Sequence, residues 1–488
     1  MHARTILRAI LFALLICGSF EKQASGQGPE NVLLVVNAES QDSLAVANKY
    51  IELRNIPASN VVYLSGVSNF KGHKYGDEST LSWQFKKQIL APVLDAIKNR
   101  GLERQIDCIA YSAGLPTRVN FNNPELKTYL KQTGQKYNFK LHAPWASVTS
   151  LTYFHQNAFS KNPNFLNLDA NRYANPRRMK VLANPLTGKD GQKFDSAMKD
   201  IADRKFAQAT QKFTELGREH REQLSVIYGL ASCFSIERKT DKAFTMLEYA
   251  KQLGFAHRSL LLRDKAFSAI RSNARFIELA KDMEDLPDGL HPTRSFSSQS
   301  YWAKNGWPNG NADQGERYIL SSVLAVTGER RSTLQASLTR LESSAGADGS
   351  FPVGNVYFSD QKDVRSKCRR GQFPFAVAEL KSLGRSASIG PDIYPLSDKQ
   401  VIGATLGKAN IDWAQSKSSF LPGAICDNLT SAGAIWSSSS QTKLSAFLDA
   451  GAAGASGTVC EPSALQAKFP TARWHAHYAR GATLVESF

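Results

Sequence analysis

A chain of 488 residues that is 42% hydrophobic and 21% charged has room for two or three domains and ample core. Its 60 Lys and Arg outweigh 43 Asp and Glu, giving a net charge of +17 that favours acidic partners such as an anionic envelope polymer or lipid headgroups. Nucleic acid is not expected, because the basic residues rarely cluster and RSKCRRG (365–371) is their densest group.

The first 26 residues read as an export signal. Arg4 and Arg8 precede the short apolar run AILFALLICG (9–18), and Ala24 and Gly26 supply small residues before a cleavage point. The run is about half the ~20 residues needed to span a bilayer, and no later segment is long enough either. Ile16 stands where a lipoprotein signal needs a small residue before Cys17, so lipidation is not expected. The predicted location is the periplasm, the cell surface or the extracellular space. Five cysteines follow the signal: Cys108, Cys233, Cys368, Cys426 and Cys460. None has CxxC spacing, which argues against a structural zinc site, and an odd number leaves at least one thiol free. Cys108 and Cys233 fall in apolar periodic segments and read as core.

Residues 27–190 alternate strand and helix. VLLVV (32–36) is a continuous apolar run, the mark of a strand buried on both faces. NAES is a turn, and Leu44, Ala47 and Ile51 then fall on one helical stripe. VVYL (61–64) is the next strand, Phe85, Ile89, Val93 and Ile97 mark a second helix closed by Gly101, and IDCIAYSAGLP (106–116) is a third strand and turn. This order implies a parallel sheet.

Residues 191–290 carry no strand pattern. Ala197 and Ala231, Ala209 and Ala243, and Phe213 and Leu247 recur at a 34-residue spacing. Small residues at that spacing sit where paired helices cross closely, and large ones fill the groove between them. The pattern resembles a tetratricopeptide repeat, best matched by residues 224–255.

The α/β pattern returns in residues 291–488. RYILSSVLAV (317–326), NVYF (355–358) and GAIC (423–426) read as strands, Leu334, Leu338 and Leu341 as one helix face, and Leu444, Phe447 and Leu448 as another. GAAGASGTVCEP (451–462) is a glycine-rich strand approach and turn. The expected architecture is one mostly parallel three-layer α/β sandwich interrupted by an all-α module. Two separate α/β domains are the alternative.

VLLVVNAESQDSLAVANKYIELRNIPASNVVYL, YSAGLPTRV (111–119), PWASVTSLTYF (144–154), RYILSSVLAVTG, PGAICDNLTSAG and HAHYARGATLVESF together resemble an uncharacterised family of exported bacterial proteins. The resemblance covers most of the chain outside the repeats and implies architecture rather than chemistry. Its members run on past the ESF position, which implies a further strand beyond Phe488. More distantly, the layout is similar to the caspase-like, flavodoxin-like fold of gingipain-type cysteine peptidases. That resemblance puts Cys426 near the nucleophile and Leu406-Gly407 where a His-Gly pair belongs. No histidine occurs between His291 and His475, so peptidase chemistry is poorly supported.

The candidate site follows from position: ligands in open parallel sheets bind outside the carboxyl ends of the strands. Cys426 ends a strand there, and Asp427, Asn428, Thr430 and Ser431 follow it. Cys426 is either a thiol nucleophile or a small buried side chain. In the second case Asp427, Thr430 or Ser431 caps a following helix. Cys460 and Glu461 are expected on the same edge, with Asp427 and Glu461 as a carboxylate pair. In WHAHY, His475 and His477 alternate as on one side of a strand, but no third metal ligand is identifiable. Cys368, between Lys367 and Arg369, reads as part of a solvated basic loop. No cofactor or metal motif appears. The functional expectation is a protein- or peptide-binding exported protein, with a cysteine-dependent hydrolase as the alternative.

Overall fold

The computed structural model describes residues 28–67, 78–120, 124–134, 144–159, 170–173, 184, 186, 188–220, 224–252, 255, 258–281, 283, 296–302, 308–309, 315–328, 331–395, 399–465 and 468–488. The export signal expected at residues 1–26 lies outside them. The chain is mixed α/β with parallel sheets, and among the described residues no helix is long and apolar enough to cross a membrane.

The first sheet grows from β1 (Val32–Asn37), whose six residues are all buried. Its side chains alternate between two cores, Leu33 and Val35 on one face, Val32, Leu34 and Val36 on the other. Helix α1 (Gln41–Arg54) starts at the Ser40 cap, and β2 (Val61–Leu64) pairs with β1 in parallel. A short strand β3 (Ser79–Leu81) precedes a π-helical turn at Phe85–Leu90 that runs into α2 (Ala91–Asn99). Phe85, Ile89, Val93 and Ile97 all point into the core, as their spacing predicts. β4 (Cys108–Tyr111) lies on the other side of β1. β5 (Arg118–Asn120) and β6 (Trp145–Ser147) join β3 in a small side sheet.

The middle of the chain is helical: α3 (Gly188–Ala202), α4 (Phe206–Glu219), α5 (Leu224–Ile236) and α6 (Thr240–Gln252), then shorter helices Arg258–Arg263 and Ala274–Lys281. Neighbours in this series pack on each other, α3 on α4, α4 on α5 and α5 on α6. Ala197, Ala209, Ala231, Ala243, Phe213 and Leu247 are all fully buried in one core. The small side chains let the backbones approach, and the large ones fill the space between them. At Gly229 the fit is close, since a Cβ there would stand 2.7 Å from the Phe213 ring.

A two-stranded ribbon, β7 (Tyr301–Trp302) and β8 (Pro308–Asn309), leads back to β9 (Leu320–Val323), which pairs with β4 through Cys108 opposite Leu320. The first sheet, in order β2-β1-β4-β9, thus joins strands from both sides of the helical segment. Helix α7 (Leu334–Gly346) follows. The remaining strands do not extend that sheet. β10 (Asn355–Ser359), helices α8 (Val364–Lys367) and α9 (Phe373–Ser382), β11 (Ser386–Gly390), β12 (Gln400–Leu406), β13 (Ser419–Asn428), α10 (Leu444–Asp449) and β14 (Gly454–Ser456) build a second, all-parallel five-stranded sheet in order β11-β10-β12-β13-β14. A single sheet is therefore not what forms. Each sheet starts a fresh winding, with its second strand outside its first and its third on the other side.

Helices bridge the two sheets. Leu334, Leu338 and Leu341 of α7 pack on Val46, Ala113 and Ala325, and its Arg340 reaches Asp449 at 2.9 Å at the end of α10. Two helices close the chain, α11 (Trp474–Ala479) and α12 (Leu484–Ser487). Val485 packs against the first-sheet core, while Phe488 meets the Trp474 ring beside the second sheet.

Gly229→Ala is expected to destabilise the protein by about 1–3 kcal/mol, because the ring it meets is fully buried. Gly346→Ala, at the end of α7 with nothing within 4 Å, is expected to stabilise it by about 0.4–1 kcal/mol. Chemical denaturation midpoints of the two variants should move in opposite directions.

Candidate functional site

Parallel register across the second sheet places four side chains in one row near its carboxyl edge. Phe358 stands opposite Thr405, Thr405 opposite Asp427, and Asp427 opposite Ser456. The row faces α11. Asp427, 1% exposed, accepts a hydrogen bond from Ser456 Oγ and forms an ion pair with the equally buried Arg369. Arg369 also donates to Leu406 O (3.1 Å) and Pro470 O (3.2 Å). Two charges taken out of water cost several kcal/mol unless paired and hydrogen-bonded, and the planar guanidinium meets both demands at once.

His475 completes the row. Its Nε2 lies 3.0 Å from Thr405 Oγ1, and its ring sits edge-on to Phe358. Gly403 leaves it room, since a Cβ there would stand 2.6 Å from Nδ1. Burial, reinforced by the Arg369 charge, pushes its pKa down to about 3. His477 is lowered to about 4 by burial and then by Arg473. The WHAHY segment is thus a buried helix rather than a strand. Its hold on α9 explains this: Arg473 grips Glu379 with Nε and Nη2 at 2.7 and 2.9 Å, and Arg480 adds a third contact at 2.6 Å. Burial alone would raise the Glu379 pKa, but the two arginines hold it below the usual value.

Cys426 points the other way. It stands between Ala404 and Ala455 in the row that faces away from His475, packed among Tyr357, Leu406 and Phe447. Burial pushes its thiol well above the usual range, Asp427 adds to the rise, and Arg369 only partly opposes it. A thiolate nucleophile is not what these surroundings favour.

No helix starts directly after Cys426. β13 runs on to Asn428, whose side chain exchanges hydrogen bonds with the Lys408 backbone at 3.1 and 3.0 Å. The turn beyond is organised by Gln441, whose Oε1 accepts from Thr430 Oγ1, Ser431 N and Ala432 N. The next helix is α10, at Leu444. Asp427, Thr430 and Ser431 therefore cap no helix. In-register pairing of Leu406 with Asn428 prolongs the strand instead. Glu461 is exposed and accepts the Ser463 N–H at 2.6 Å, so it shares no partner with Asp427. Cys460 is half-buried with its Sγ 3.7 Å from Trp145 O, and burial raises its thiol.

The basic segment lies across the strand ends. Asp360 N donates to Gly390 O at 2.7 Å, and Gln361 Nε2 reaches Gly407 O at 3.1 Å. Asp363 caps α8, accepting Arg365 N at 3.0 Å, and also takes the Arg365 side chain at 3.1 Å. A Cβ on Gly407 would stand 2.5 Å from Ser366 N, so α8 rests directly on the end of β12. Cys368 is half-buried, its Sγ 3.4 Å from Arg365 O.

One cluster had no signal in the sequence. Glu78, 3% exposed, accepts Ser437 N and Oγ at 3.1 and 2.7 Å and pairs with Arg331 at 3.1 Å. Arg118 stands 3.9 Å from Glu78 and stacks over Trp145. It ties loops of the first sheet to the turn beyond β13, across more than half the chain. Asp190, Glu219 and His220 bring ligand-type atoms within 4.8 Å of one another, and His220 Nε2 lies 2.9 Å from Asp190. The last contact is a hydrogen bond between α3 and the end of α4.

The fold and site define a mixed α/β protein with two parallel sheets and a helical segment that falls, in chain order, between strands of the first. Compared with protein-family models, with curated proteins and with solved structures, the chain has no match.

Arg369→Met leaves Asp427 buried without its countercharge and is expected to cost about 3–5 kcal/mol in a denaturant titration. Buried histidines set a second outcome. His155, His475 and His477 have folded pKa values of about 4, 3 and 4 against the usual 6.5. They stay neutral when folded and take up protons on unfolding. Their contribution is full above pH 6.5 and is lost as pH falls towards 4. Urea midpoints measured between pH 7 and 4.5 should decline, less steeply in His475→Gln.

Proposed function

We propose that this chain is an exported, non-catalytic binding protein that takes a protein or peptide partner. In this reading residues 27–190 and 291–488 form a degenerate caspase-like α/β unit, and residues 191–290 form an inserted module of the tetratricopeptide type. The observation that carries the proposal is the state of Cys426: fully buried, with its pKa raised, and on the opposite face of the sheet from His475. Nucleophilic catalysis needs a thiol that a base and a substrate can both reach. The charged groups nearest Cys426, Asp427 and Arg369, are instead paired with each other.

The helical segment supports the binding half of the proposal. Its interior is closed by small and aromatic side chains, while Met198, Leu262 and Ile277 stand exposed on it, the last at 58%. Its α6 rests on α9, which braces the second sheet. The cysteine-hydrolase alternative requires Cys426 to become reachable.

Thiol labelling combined with a peptide-library digest separates the two. A fluorescent maleimide at pH 6.5 is expected to label Cys368 and Cys460, to reach Cys426 only after denaturation, and to give the same native pattern in Cys426→Ala. No peptide should be cleaved. Selective native labelling of Cys426, with peptide hydrolysis that Cys426→Ala abolishes, would establish the hydrolase instead.

A further inference from the structure

The second sheet has a topological switch point that neither reading uses. Its chain order turns in opposite directions from β10 and from β12, which are neighbours: β10 leads out through α8 and α9 to β11, and β12 leads the other way to β13. Crevices outside such strand pairs are where open parallel sheets hold ligands.

The side chains of the segment that lies over these strand ends are chiefly cationic. Arg365 and Lys408 come from the two different crossovers and converge on one carboxylate, Asp363, at 3.1 and 3.9 Å. At 3.9 Å the Lys408 ammonium makes no hydrogen bond to Asp363, and 39% of its side chain is exposed. Asp363 itself is occupied, holding Arg365 N as the cap of α8. Arg370 lies 4.0 Å from Asp360, the first residue beyond β10, and Lys362 and Lys367 are exposed along the same segment. Arg369 does not belong to this group, because its guanidinium is consumed by Asp427, Leu406 and Pro470. It acts as the pin that keeps the basic segment against the strand ends.

We propose that Arg365 and Lys408, which flank Asp363 outside the carboxyl ends of β10 and β12, grip a tetrahedral oxyanion of the phosphate or sulfate type. A planar guanidinium and a mobile ammonium from separate crossovers match such an anion with complementary donors. Asp363 fixes the position of Arg365 and lowers the site's affinity by its own charge. This site is independent of the partner-binding reading and compatible with the hydrolase alternative.

The test is calorimetric titration of the full chain with inorganic phosphate, with sulfate and with acetate at low ionic strength. Saturable binding of phosphate or sulfate is expected, weakening as salt is added, and the comparison of the two distinguishes the anion sources. Lys408→Gln and Arg365→Gln should each weaken it by about tenfold or more. Asp363→Asn keeps a capping side chain while removing the negative charge, and should tighten binding about threefold. A purely structural role for the cluster predicts no tightening. Absence of saturable binding, equal binding of acetate, or affinity unchanged in Lys408→Gln would overturn the proposal. Lys408 is a partly exposed side chain, so that variant is expected to fold, and an unchanged thermal midpoint checks it.

Discussion

The buried ion pair between Arg369 and Asp427 is the constraint on which the carboxyl edge of the second sheet depends. It joins a loop residue to a strand residue 58 positions later, and both sit at 1% exposure. Neither charge is tolerable there alone. Their pairing fixes the basic segment over β12, draws Pro470 in through its carbonyl, and leaves Asp427 free to hold Ser456 of β14. Three strand ends, those of β12, β13 and β14, are thereby tied to one guanidinium–carboxylate contact.

Around that contact the two faces of the sheet differ in kind. On the side of α11 the row Phe358, Thr405, Asp427 and Ser456 meets His475 and Trp474 in a buried polar network. On the side of α10 the row Tyr357, Ala404, Cys426 and Ala455 is apolar. The one-residue alternation of a β-strand decides which group lies where. Asp427 and Cys426 are neighbours in sequence, yet one is locked in charge and the other in hydrocarbon. Reactive chemistry needs the opposite arrangement, with the thiol among the polar groups.

Periodicity made much of the fold legible. The apolar run at β1, the stripe Phe85, Ile89, Val93 and Ile97, and the alanine spacing of the helical segment each report directly on burial. What periodicity does not encode is where a sheet stops. β9 joins the first sheet and β10 starts another, and nothing in RYILSSVLAV or NVYF distinguishes the two outcomes. WHAHY alternates like a strand but is held as a helix by Arg473 and Arg480 on Glu379, partners 94 and 101 residues away. Position on the carboxyl edge drew attention to Asp427 but not to its buried pairing, because its partner Arg369 stands in the most basic stretch of the chain. The Glu78 cluster had no local pattern at all, because its members meet only after both sheets have formed.

Amide hydrogen exchange on Arg369→Met tests the central claim most directly. If the ion pair pins the segment, protection should drop most sharply across residues 360–372 and at Leu406 to Lys408, beyond any drop that global destabilisation brings to β1, β4 and the helical segment. Uniform exchange rates in the two proteins across residues 360–372 would show that the segment is held by something else, and the account of this edge would fail.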